Sequence, residues 1–139
     1  MRVDLQRVLR DGGFSLVVEC GEVRTFTGRG VSDLLRLLTC DPDSLRGARL
    51  ADKVVGKAAA SLMALAGVKE VYADVISQAG LDMLRGANSD VSYAKLVDHI
   101  ANRAGTGLCP LEQRCLHCAT PSECLAQIKV FVSEMQKSK

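Results

Sequence analysis

At 139 residues, with 47% hydrophobic and 24% charged side chains, the chain is long enough to close one hydrophobic core and too short to require two. Its 18 basic and 16 acidic residues leave a formal charge of +2, which gives no electrostatic footprint for nucleic acid. No leader pattern opens the chain, and its longest weakly polar stretch, Val54 to Val68, contains Lys57 and is short for a membrane span. A single cytoplasmic domain over residues 1–139 with no membrane partner is therefore expected.

Val3, Leu5, Val8 and Leu9 have helical spacing, and Asp11, Gly12 and Gly13 end that run. Two β-prone runs, Phe14 to Cys20 and Val23 to Thr27, flank Gly21 and Glu22 and read as a hairpin. After Gly28 to Gly30, Ser32 is a natural N-cap for a helix carrying Leu34, Leu35, Leu37 and Leu38. The next helix is expected from about Lys53 to Ala66, apolar on nearly all sides and closed by Gly67.

Val68 to Ser77 then reads as a strand, Gln78 to Arg85 as a helix closed by Gly86, Val91 to Ala94 as a short strand and Lys95 to Arg103 as a helix. Beyond Gly107 the chain turns cysteine-rich. Residues 107–139 read as a helical hairpin, with one helix from Cys109 to about His117 and a second behind Thr120, Pro121, Ser122 and Glu123, a capping-box pattern. Strands alternating with helices after an initial hairpin imply an α/β fold, a three-layer α/β/α sandwich with a mixed sheet.

The order of elements and the run Ala51, Asp52, Lys53, Val54, Val55, Gly56, Lys57, Ala58, Ala59, Ala60 resemble a small prokaryotic family, a domain of unknown function, with a cytidine deaminase-like fold. Asn102, Arg103, Gly105, Gly107, Cys109, Pro110 and Glu112 match that family's second motif, which usually has Met where this chain has Leu111. The resemblance implies the fold and a site at the start of the Lys53–Ala66 helix. It does not bring zinc chemistry with it. A zinc deaminase needs a His or Cys two residues before a glutamate at that helix start and a Pro-Cys-x-x-Cys run on the next helix, and neither is present. The same fold also serves, by resemblance, in a formyl-transferring enzyme where lysine and histidine act without zinc, which keeps both an enzyme and a binding protein open.

With Asp52 as cap, Lys53 and Lys57 one turn apart would make the helix start, Gly56 included, attractive to a phosphate or carboxylate, whereas in a purely structural role Gly56 permits close packing. The structural alternative is that Asp52 only caps and the lysines reach solvent. Asn102 and Arg103 precede a glycine-rich loop, where Arg103 either grips an anion or complements a helix C-terminus. Cys109 and Glu112 complete the expected ligand-binding set, and Cys109 at a helix start is placed to favour thiolate.

Cys109, Cys115, Cys118 and Cys124 could be brought together by the last turn and would then suit zinc or an iron-sulfur cluster, although no cofactor is required. Reduced thiols or a local disulfide are the alternatives. His99 is assigned to packing or solvent within its helix, and Cys20 and Cys40 to small apolar positions. The expected function is the binding of a small anionic metabolite such as a nucleotide. The alternatives are a metal-binding or redox-responsive module built on the late cysteines and a non-catalytic interaction protein, with self-association into a homo-oligomer also open.

Overall fold

The computed structural model describes residues 4–28, 31–101, 107 and 109–137. The first helix, α1 (Leu5–Asp11), begins at Asp4, whose carboxylate accepts the Arg7 amide at 3.2 Å. β1 (Leu16–Cys20) and β2 (Glu22–Phe26) form the expected hairpin, and the positive φ of 83° at Gly21 makes its turn. In α2 (Ser32–Cys40) the cap departs from expectation: Val31 holds the N-cap position without a side-chain bond. Ser32 is already helical, and the Asp33 carboxylate holds the incoming chain by accepting the Gly28 amide at 2.9 Å.

A short 3-10 turn, Pro42–Ser44, leads into β3 (Arg49–Val55), an element that the sequence reading lacks. Asp52 and Lys53 therefore lie in a strand, and α3 (Lys57–Ala66) starts only at Lys57. The cause is tertiary pairing. Asp52 is flanked by Leu16 of β1 and by Ala73 in the following strand, and a central ladder outweighs the poor strand propensity of Asp and Lys. Gly67, at φ 76°, ends α3 as expected.

β4 (Glu70–Ser77) and α4 (Gln78–Gly86) follow the sequence reading closely. β5 (Asp90–Val97) is longer than expected, because Lys95, Leu96 and Val97 continue the parallel ladder against Val75, Ile76 and Ser77. The expected Lys95–Arg103 helix is thus absent over its described part, since residues 98–101 are not helical. Asn102 and Arg103 lie outside the described residues. α5 (Pro110–Cys115) and α6 (Pro121–Lys137) form the expected terminal hairpin. Thr120 Oγ1 accepts the Glu123 amide at 3.2 Å, while Glu123 Oε2 reaches back to the Ala119 amide at 2.7 Å.

The five strands lie in the order β2-β1-β3-β4-β5, with β1 antiparallel to both its neighbours and β3, β4 and β5 mutually parallel. Along β1 and β3 the pleat separates two cores. Val17 and Ala51 pack with Leu5 and Leu9 of α1 on one face. Leu16, Val18 and Leu50 join the larger core, where α2, α3, α4 and α6 contribute Leu34, Leu62, Leu84 and Ile128. The mixed sheet carries α1 over β1 and β3 on one face and the larger helical layer on the other, an α/β fold in which no residue of the edge strand β5 is fully buried. Among the described residues no helix is long and apolar enough to cross a membrane. Cys20 and Cys40 are exposed rather than apolar filler, at the ends of β1 and α2.

Candidate functional site

Parallel strands deliver their C-terminal ends, and the helices that follow them, to one edge of the sheet. Here β3 passes through Gly56 into α3, and β4 passes directly into α4. The two helix starts are in contact: a Cβ on Gly80 would lie 3.1 Å from the carbonyl oxygens of Val55 and Gly56. Ser77 caps α4 by accepting the Gly80 amide at 3.0 Å.

No side chain of its own caps α3, because Gly56 occupies the N-cap position. The cap comes from far along the chain. Glu112, buried in the first turn of α5, accepts the Lys57 amide on Oε1 at 2.7 Å and the Ala58 amide on Oε2 at 3.0 Å. A carboxylate at a helix start satisfies orphan amides and complements the helix dipole. The anion expected at this helix start is thus supplied by the protein itself.

Lys57 turns the other way. Its Nζ donates to the carbonyl oxygens of Cys118 at 2.6 Å and Leu116 at 3.2 Å, just past the C-terminal end of α5. Gly56, Lys57 and Glu112 therefore converge as a joint between α3 and α5. Cys109 is the N-cap residue of α5, half-buried, and its amide donates to the Ile100 carbonyl at 2.9 Å.

Beside this joint is a cavity of about 70 Å³ lined by Lys57, Ser77, Ala79, Asp98, His99, Glu112 and Leu116. Ser77, Asp98 and His99 belong to it although the sequence reading assigned them no part. A longer β5 would have revealed the last two, since extending that strand to Val97 places Asp98 and His99 at the same sheet edge. Lys57 and Ala79 also line a wider groove of about 590 Å³ between α3 and α4, which includes Leu65, Asp82, Met83 and Cys118.

Asp52 and Lys53 are not among the residues described around the cavity. Lys53 is exposed on β3, whereas Asp52 is buried and accepts the Val54 amide at 3.3 Å. Burial raises the Asp52 carboxyl to about 7, with Asp74 adding to the rise and the Val54 and Lys53 amides opposing it. Asp74 itself accepts the Tyr72 hydroxyl at 2.9 Å, and that hydroxyl accepts Arg10 Nη2 at 3.0 Å, which ties α1 to the sheet.

Of the four late cysteines, Cys115 and Cys124 are fully buried in the main core and Cys118 packs half-buried against it, its thiol donating to the Arg114 carbonyl at 3.8 Å. Cys109 stands at the opposite end of α5 from Cys115. Among the described residues no group of three or more His, Cys, Asp or Glu side chains is arranged to hold a metal ion.

The model of a family described as a domain of unknown function, DUF1893, matches residues 4–132. The chain belongs to this family. The match takes in α5 and most of α6, so in this DUF1893 member the cysteine-rich hairpin is part of the family domain, beyond the Phe14 to Glu112 extent of the sequence resemblance. The crystal structure of a DUF1893 family protein from Thermotoga maritima is similar, with a TM-score of 0.82 at 24% identity over 96% of this chain and 92% of that one. No curated protein matches the chain.

Proposed function

We propose that this DUF1893 domain binds a small anionic metabolite, a nucleotide being the class favoured, with the ligand's polar end in the cavity between the starts of α3 and α4. The convergence of Lys57, Ser77, Asp98, His99 and Glu112 at the C-terminal edge of the parallel strands carries this reading. At about 70 Å³ the cavity admits a polar group of a few atoms, and the remainder of the ligand lies outside it. Glu112 already holds the first amides of α3, so the ligand's acceptors are met by an N–H of His99 and by the donor that Lys57 Nζ keeps beside its bonds to the Leu116 and Cys118 carbonyls. Asp98 and Glu112 add acceptors, which favours a ligand that also carries N–H donors. The convergence of two helix starts at this edge supports a cytidine deaminase-like arrangement in which Gly56, Lys57, Ser77 and Gly80 stand where zinc chemistry would be housed.

Calorimetric titration with the four common ribonucleoside monophosphates, with inorganic phosphate as control, tests the reading. Binding by at least one nucleotide is expected, weakened about tenfold or more in His99→Ala, which removes an N–H donor from the ligand. The thermal midpoint of that variant should not move, since His99 is exposed. Absence of nucleotide binding, or binding indifferent to His99→Ala, would refute it.

A further inference from the structure

Lys57 and Ala79 line both the cavity of about 70 Å³ and the groove of about 590 Å³ between α3 and α4, so the two spaces adjoin at the helix starts. From there the groove follows α3 as far as Leu65 and α4 as far as Gly86, a run of about 11–12 Å at 1.5 Å per helical residue. Such a run accommodates a sugar and a base. Among the described residues that line it only two side chains are charged, Lys57 at the cavity end and Asp82 on α4. An anionic group is therefore held at the Lys57 end, and the uncharged remainder of the ligand extends along the groove.

Asp82 stands one turn beyond Ala79 on the same face of α4, about 4.5 Å further from the cavity. Its Oδ1 accepts Gln78 Nε2 at 2.9 Å, a single bond on a group with lone pairs for more. Further along, the walls are Ala64, Leu65, Met83 and Ala87, whose side chains carry no hydrogen-bond donor.

We propose that Asp82 accepts the ribose hydroxyls of the bound nucleotide, with the phosphate at Lys57 and the base packed against Leu65 and Met83. This placement rests on the nucleotide reading of the cavity and adds the sugar to it: the ligand is a ribonucleotide rather than a deoxyribonucleotide. The ribose is the group next to the phosphate in a nucleotide, and Asp82 carries the next charged side chain along the groove from Lys57. A carboxylate answers a pair of hydroxyls because it accepts from both and has no donor of its own. It also repels phosphate, which disfavours the reverse orientation. The base meets aliphatic and thioether side chains that hold it by contact and read no hydrogen-bonding edge, so the four bases are weakly discriminated.

Calorimetry on the full chain, with the four ribonucleoside 5′-monophosphates and their 2′-deoxy counterparts, tests the placement. The ribonucleotides should bind about tenfold tighter, the worth of one charge-assisted hydrogen bond. Asp82→Ala should erase that preference, weakening the ribonucleotides about tenfold and leaving the deoxynucleotides nearly unchanged, whereas His99→Ala weakens both series alike. Asp82 is exposed, so its replacement leaves the fold in place. Gly86→Leu is a second probe: a Cβ at Gly86 meets nothing within 4 Å, so the new side chain fills open space at the far end of the groove, and both series should lose affinity. Equal binding of the two series, a preference that survives Asp82→Ala, or indifference to Gly86→Leu would overturn the groove assignment, while His99-dependent binding would leave the cavity reading standing. No binding of any nucleotide would overturn both.

Discussion

Gly56 and Glu112 meet from two directions: a Cβ on Gly56 would sit 2.3 Å from Glu112 Oε1, so the missing side chain on one lets the carboxylate of the other reach the first amides of α3. The relation joins residues 56 positions apart and anchors the terminal hairpin to the strand-helix joint.

Gly56→Ala should therefore act through Glu112. The φ of −102° at Gly56 suits alanine, so no backbone strain is involved, and the group met is the end of a flexible side chain. What is lost is the cap. A destabilisation of about 1–2 kcal/mol is expected, the scale of a lost N-cap. Urea unfolding measures it, and a change below about 0.5 kcal/mol would show that the carboxylate finds an equivalent position.

Asp52 makes stability depend on pH in the sense opposite to a salt-bridged carboxylate. Its folded-state pKa of about 7 lies above the ordinary carboxylate value of 3.8, so from pH 4 to pH 7 the folded chain holds a proton that the unfolded chain has lost. Stability then falls as pH rises through that window, by at most about 4 kcal/mol from this one group at 1.36 kcal/mol per unit. Asp52→Asn keeps an acceptor for the Val54 amide and removes the charge. The variant should show a flatter profile and be more stable than the parent at pH 8; parallel profiles in urea titrations would refute this.

The legible parts of the chain were those where one local signal sufficed. The hairpin around Gly21, the stop at Gly67, the β4–α4 junction at Ser77 and the cap at Thr120 each follow from turn or cap chemistry within a few residues. β3 was hidden because burial along it does not alternate: Leu50, Ala51 and Asp52 are buried in succession, followed by exposed Lys53 and Val54. Its apolar end also runs into the alanines of α3, which extends the helical pattern backwards across the strand. Of the expected ligand set, Gly56, Lys57 and Glu112 are brought together, but the cap that the sequence pattern places at Asp52 comes from Glu112. No local pattern reveals a contact whose partners are separated by three intervening elements, or the placement of His99 beside Lys57.

Lys57→Met tests the other arm of the joint. Methionine keeps much of the apolar stem but cannot donate to the Leu116 and Cys118 carbonyls. Because the ammonium is partly solvated, the expected cost is modest, about 1–2 kcal/mol. Amide exchange should rise in the α5–α6 turn more than in β3 or β4. Uniform exchange across the domain would mean that Lys57 does not hold that turn.

Ile128→Ala asks whether the cysteine-rich hairpin is an appendage or part of the core. Ile128 is fully buried in the main core beside Cys124, on the face of α6 that packs over α3. Truncation removes its apolar contacts and leaves a cavity, so a loss of about 2–5 kcal/mol is expected. The unfolding transition should stay single and cooperative and shift as a whole to lower denaturant, because α6 and α3 share one core. A separate early transition confined to α6 would instead make the hairpin an independent unit, and the thiols of Cys115, Cys118 and Cys124 would then open to solvent without unfolding of the sheet.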